Sequence, residues 1–117
     1  MLTVRQVQFA VLSQVEVRKF EDWMLVHLKK FFPRQCTMAG DTRLREMVQH
    51  GIERAAGYGL TAKRDVCKYI DLMIVFGRDF DTDRRYRWAS DILGKRRNPD
   101  AKMRTVFQAA KLRLRKR

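Results

Sequence analysis

At 117 residues the chain has the length of a single domain, one able to bury a core without disulfide or metal staples. Cys36 and Cys67 stand far apart and outside any CxxC pair, so they read as reduced thiols and exclude a disulfide framework. No apolar run approaches the roughly 20 residues that span a bilayer, and the N-terminus lacks a signal peptide's features; a cytoplasmic protein with no membrane span is expected.

Taken in chain order, apolar residues recur at helical spacing almost throughout, and nothing alternates long enough to make a strand. The pattern predicts an all-α fold: a compact single-domain bundle of about five to six helices. Thr3, with Gln6 three residues on, is placed to cap a first helix carrying Val4, Val7 and Val11. Ser13 and Glu16 repeat that start signal, so the first 30 residues form either one long helix or two joined at Ser13. The following run is apolar around most of its circumference, with Phe20, Trp23, Met24, Leu25, Leu28, Phe31 and Phe32, until Pro33 makes continuation unfavourable.

A loop, RQCTMAG, is expected next, with Asp41 or Thr42 capping a helix whose buried row is Leu44, Met47, Val48, Gly51, Ile52 and Ala55. Gly51 and Ala55 are small enough for a second helix to come close, and Gly57 and Gly59 supply a left-handed C-terminal cap. Thr61 is predicted to start the following helix. Residues 61–76 end in five consecutive apolar residues, Leu72 to Phe76, and a helix apolar on every side belongs at the centre of a bundle. Gly77 ends it. Asp83 is placed to cap a short helix carrying Trp88, Ile92 and Leu93, which Gly94 closes. Asn98 as cap, Pro99 in the first turn and Asp100 near the positive end of the dipole open the last helix. Its predicted apolar face is Met103, Val106, Phe107, Ala110 and Leu114. Residues 1–110 read as one helical domain and 111–117 as a basic tail continuing the last helix.

The formal charge of +13 is unevenly placed. Residues 1–83 carry 13 Lys and Arg against 11 Asp and Glu, whereas residues 84–117 carry 13 against 2. A single-ended basic segment points to an anionic partner: a nucleic acid, an acidic protein surface or an anionic lipid face. The candidate partner-binding residues are therefore Arg84, Arg85, Arg87, Lys95, Arg96, Arg97, Lys102, Arg104, Lys111, Arg113 and Arg115.

The stretch GRDFDTDRRYRWA, residues 77–89, is the most site-like in the chain. Its Asp79-x-Asp81-x-Asp83 opening matches the start of an EF-hand loop, but Arg84 and Ser90 occupy the places that need glycine and a bidentate glutamate. The stretch reads better as a structural corner: Gly77 ends a helix, Asp79 and Asp81 turn the chain, Phe80 enters the core, and Asp83 caps the helix containing Trp88. A DNA-reading helix-turn-helix across Ala55, Gly59, Leu60 and Thr61 would have to bury Asp65 and Lys68, whereas the apolar row is Val66, Tyr69, Ile70 and Met73. His27 and His50 make no ligand-like local spacing with Cys36 or Cys67, so one partly buried and one exposed histidine is expected rather than a metal or nucleophile site. No phosphate loop, GxSxG elbow or HExxH occurs. No catalytic residue, metal or cofactor is expected, and the chain reads as a non-enzyme.

Three segments, FFP, HGIERAAGYGLTAKRDVCKYIDLMIVFGRDFDTD and WASDIL, together resemble small all-helical accessory proteins encoded beside effector and spike genes of bacterial type VI and related contractile injection systems. The resemblance covers roughly residues 20–93. It implies a bacterial, non-enzymatic adaptor or chaperone that binds a secretion effector or spike-tip protein, and it brings no catalytic residues with it. The chain departs from that pattern in Arg84, where a proline would follow the aspartate corner, and in its basic end. A nucleic-acid-binding protein using that basic end and an immunity protein binding a cognate toxin are the alternatives.

Overall fold

The computed structural model describes residues 13–115. Six α-helices and no strand make up this part of the chain: α1 (Gln14–Phe31), α2 (Pro33–Ala39), α3 (Asp41–Gly57), α4 (Lys63–Phe76), α5 (Arg87–Leu93) and α6 (Pro99–Arg115). The all-α bundle expected from periodicity is the fold found. None of these helices is long and apolar enough to cross a membrane.

Ser13 decides where α1 begins. Its backbone is extended, at ψ 166°, and its hydroxyl accepts from the Glu16 amide at 3.2 Å while the Glu16 carboxylate accepts from the Ser13 amide at 2.9 Å. This reciprocal capping box breaks any longer helix at Ser13. The expected cap at Thr3 and stripe of Val4, Val7 and Val11 lie outside the described residues.

The loop expected at residues 34–40 is instead helical. Pro33 cannot continue α1, but at the first position of a helix its missing amide costs nothing, so the residue that ends α1 also opens α2. Of its seven residues only Cys36 is buried. Gly40 then stands at the N-cap of α3, and neither Asp41 nor Thr42 caps it; Asp41 pairs with Lys29 of α1 at 2.8 Å. The cap expected at Thr61 is likewise displaced, since Ala62 precedes α4 and no side chain caps it.

Helices α3 and α4 pack through the predicted row, of which Leu44, Val48, Gly51 and Ala55 are buried. Gly51 is what permits the approach: a Cβ there would lie 2.6 Å from Ile70 Cγ1 and 2.9 Å from Met73 Sδ. At the end of α3 the Leu60 amide donates to the Ala55 carbonyl at 2.8 Å and the Gly59 amide to Ala56 at 2.9 Å. This is a Schellman cap, and it places the left-handed residue at Gly59, with φ 80°, while Gly57 remains in the helix.

Helix α4 is central, with α1, α3 and α6 packed around it. It is not enclosed on every side as its composition suggested, because Val75 is exposed and Ile74 half-buried. Nor is its buried face wholly apolar. Asp65, in its first turn, is 3% exposed, and its Oδ1 has no hydrogen-bond partner. The objection that a helix-turn-helix would bury Asp65 therefore fails, but Val66, Tyr69, Ile70 and Met73, which α4 buries, are the apolar row expected of a packed helix. Burial pushes the Asp65 carboxyl upward, Asp100 adds to the effect, and Arg64 and Lys68 oppose it. A carboxyl raised on folding contributes stability below its unfolded value of about 4, and that contribution is lost as pH rises through the folded value. Asp65→Asn should therefore be more stable than the parent at pH 7, with the advantage fading toward pH 4. Urea midpoints across that range read it out, and an unchanged pH 7 midpoint would contradict it.

Beyond α4 the chain turns at Gly77 and drives Phe80 into the core, 5.2 Å from the Tyr69 ring centroid. Asp83 accepts from the Arg85 amide at 2.9 Å and caps a 3-10 turn, Arg84–Tyr86, not α5 directly. Trp88 is half-buried against Phe76, with centroids 5.5 Å apart. The start of α6 is as predicted: Asn98 Oδ1 accepts from the Asp100 amide at 2.9 Å, and Met103, Val106 and Ala110 are buried.

Candidate functional site

A groove of about 690 Å³ runs between α1, α4 and α6. Helix α1 contributes Lys19, Phe20, Trp23 and His27; α4 contributes Lys63, Arg64, Cys67, Lys68 and Asp71; α6 contributes Phe107. The spacing explains the wall on each side. Lys19, Trp23 and His27 recur every fourth residue on α1, as do Lys63, Cys67 and Asp71 on α4, so each set stands on one helical face.

Aromatic rings form the floor. Trp23 lies 6.2 Å from Phe20 and stacks on His27 at 5.2 Å with planes 20° apart, and His27 in turn meets Phe31 at 4.9 Å. Trp23 is 54% exposed. Four cations edge this floor. Arg64 is held by Asp100, and Lys68 lies 5.6 Å from the Phe107 ring centroid. The groove is thus apolar at its base and positive along its edge, a surface suited to an amphipathic anionic ligand.

Deep in the groove three polar side chains meet. His27 Nε2 lies 3.0 Å from Asp71 Oδ1 and 3.3 Å from Oδ2, and the same nitrogen is 3.7 Å from Cys67 Sγ. Burial, reinforced by Asp71, pushes the Cys67 thiol up to about 12, so the sulfur is protonated at neutral pH. Burial also raises Asp71, against the opposing pull of His27. A cysteine nucleophile needs its base through one imidazole nitrogen and an orienting group on the other. Here thiol and carboxylate converge on one nitrogen, and the thiol is not activated. The arrangement is not that of a Cys-His nucleophile.

The sequence-based reading kept His27 and Cys67 apart and did not single out Asp71; the fold joins all three. Cys67 and Asp71 at i, i+4 on a helix was the legible half of the cluster, while its approach to α1 is purely tertiary. Both histidines are half-buried, contrary to the expected exposed one, with His50 held between Arg78 at 3.3 Å and Asp79 at 3.5 Å. Cys36 and Cys67 are both free thiols.

The aspartates of the corner diverge. Asp79 is exposed beside His50, Asp81 is buried against Arg54 and Tyr58, and Asp83 holds Arg85. The predicted basic surface is also reorganised. Lys102 does not belong to it: at 6% exposure its ammonium donates to the Tyr58 carbonyl at 2.9 Å. Arg113 lies over Trp88, 4.9 Å from the ring centroid. Arg84, Arg87, Lys95, Arg96, Arg97, Arg104, Lys111 and Arg115 are exposed. With α6 continuous to Arg115, its rise of about 1.5 Å per residue sets Pro99, just after the Lys95–Arg97 cluster, roughly 18 Å from Lys111. The basic end is therefore two patches rather than one tail.

Comparison with known proteins finds no matching family model, no matching curated protein and no matching solved structure.

Proposed function

We propose that this chain is a non-enzymatic adaptor or chaperone-like binding protein, whose groove between α1, α4 and α6 receives an acidic amphipathic segment of a protein partner. In the setting implied by the secretion-system resemblance, that partner is an effector or spike-tip protein. One observation carries the reading: an aromatic floor, in which Trp23 is exposed, Phe107 half-buried and Phe20 buried beneath them, is bordered by Lys19, Lys63, Arg64 and Lys68. Such a groove matches a helix with an apolar face flanked by carboxylates, since the rings bury area and the cations choose the sign of the partner.

The probe is a synthetic acidic amphipathic peptide, leucine along one helical face and glutamate on the other, with a glutamine analogue as control. The acidic peptide should bind the full chain at least tenfold more tightly than its analogue. Lys19→Glu with Lys63→Glu should reverse that preference. Equal affinity for both peptides, or no effect of the double variant, would count against the groove.

A second reading rests on a separate observation, the exposed patches at Lys95–Arg97 and Lys111–Arg115. If these bind a phosphate backbone, duplex DNA should bind at about 50 mM salt and weaken steeply as salt rises. Reversing Lys19 and Lys63 should leave that binding nearly intact, which separates the two surfaces.

A further inference from the structure

We propose that His27, Cys67 and Asp71 form a three-ligand site for zinc, with its fourth coordination position open to the groove. Among the described residues this is the one set of three or more His, Cys, Asp or Glu side chains whose ligand atoms converge, all within 4.8 Å of one another.

Tetrahedral zinc holds nitrogen and oxygen at about 2.0–2.2 Å and thiolate sulfur at about 2.3 Å, which sets ligand-to-ligand edges of roughly 3.3–3.6 Å. The edges present are 3.0 Å from His27 Nε2 to Asp71 Oδ1 and 3.7 Å from the same nitrogen to Cys67 Sγ. Those two edges lie within a few tenths of an ångström of the tetrahedral values, and Cys67 Sγ and the Asp71 carboxylate lie within 4.8 Å, so an ion at their centre draws the third edge inward. Helix α4 supplies two ligands from one face, and the His27 ring is fixed between Trp23 and Phe31, so the set is organised in advance.

Donor chemistry selects the metal. A mixed sulfur, nitrogen and oxygen set suits borderline zinc and disfavours calcium or magnesium, which take oxygen ligands in higher number. Charge balances as well. Zinc displaces the thiol proton to solvent, and the dication then matches one thiolate and one carboxylate beside a neutral imidazole. The loaded site is neutral among the cations of the groove edge. Three protein ligands leave one position for water or for an anionic atom of a groove occupant. Metal binding itself does not depend on the groove receiving a peptide.

The experiment uses the full, untagged chain, kept reduced, with zinc in equilibrium dialysis and cobalt(II) as a spectroscopic substitute. One zinc per chain is expected, and cobalt should show a thiolate charge-transfer band with the intense visible bands of tetrahedral coordination. Loss of a partner around a metal ligand typically costs 10–100-fold in affinity. Loss of a ligand atom in Cys67→Ser or Asp71→Asn should cost about a hundredfold and, for Cys67→Ser, abolish the charge-transfer band. Cys36→Ser and His50→Gln should leave stoichiometry and spectrum unchanged. Circular dichroism confirms that each variant is folded. Absence of stoichiometric binding, or binding indifferent to both Cys67→Ser and Asp71→Asn, overturns the site.

Discussion

Asp81→Ala should destabilise the fold by about 3 kcal/mol, the largest effect expected of any single substitution at the corner. The Asp81 side chain is 0% exposed, and its Oδ2 accepts from Arg54 of α3 and from the Tyr58 hydroxyl at 2.7 Å. Breaking a buried pair costs about 3–5 kcal/mol because the surviving charge loses its partner without regaining water. Arg54 is 36% exposed and recovers part of its hydration, which places the expectation at the lower end. Its Nε is already buried with no partner, so little slack remains around the guanidinium. The Tyr58 carbonyl also holds Lys102, so the substitution loosens the junction of α3, the corner and α6 together. Against a typical domain stability of about 5–15 kcal/mol, the loss should lower the urea midpoint markedly. A second readout is independent of unfolding. Burial first, then Asp81, pushes the Tyr58 phenol up to about 12, so ultraviolet titration of the variant should show a tyrosine titrating at lower pH. An unchanged midpoint would mean that the carboxylate is replaceable by water.

That aspartate also shows what sequence conveys and what it conceals. Within GRDFDTDRRYRWA the three aspartates looked alike, and Arg84 and Ser90, at the places that need glycine and glutamate, argued against calcium; the fold gives each aspartate a different environment. Gly77, Phe80 and Asp83 were readable because a helix stop, an apolar residue between turns and a short polar cap each act locally. The partners of Asp81 stand on α3 and at the residue that caps its C-terminus, more than 20 positions earlier, and no local pattern announces them. The row Leu44, Val48, Gly51 and Ala55 was legible for the converse reason, since helical periodicity is written in the segment itself. Where local signals misled, they had two valid meanings. Pro33 stops one helix and opens another, and Asp41 or Thr61 can cap only if the backbone is not already helical or displaced by a residue. Lys102 was assigned to the basic surface by its charge, although it adjoins the buried row of Met103, Val106 and Ala110. The groove followed the same division: its i, i+4 stripes are present in the sequence, but their facing one another is a product of the fold.

Trp23→Ala should separate the groove from every other surface on the molecule. Trp23 is more than half exposed, so truncation removes little buried area, and its loss from the stack on His27 should change stability by no more than about 1 kcal/mol. Its expected effect on binding is larger. A tryptophan at the centre of an apolar interface, flanked by polar groups that exclude water, commonly carries about 2 kcal/mol or more of the binding free energy. At about 1.4 kcal/mol per tenfold, the dissociation constant for the acidic amphipathic peptide should rise by roughly thirtyfold. The dissociation rate should carry most of this change, because the steering cations Lys19 and Lys63 are untouched; reversing those two should act mainly on association and on salt dependence. Duplex DNA, if bound at Lys95–Arg97 and Lys111–Arg115, should show no response to Trp23→Ala. The substitution thus distinguishes a groove that buries an apolar face from a surface that only attracts negative charge. Peptide binding undiminished in the variant would place the ligand on the basic patches and remove the groove from the mechanism.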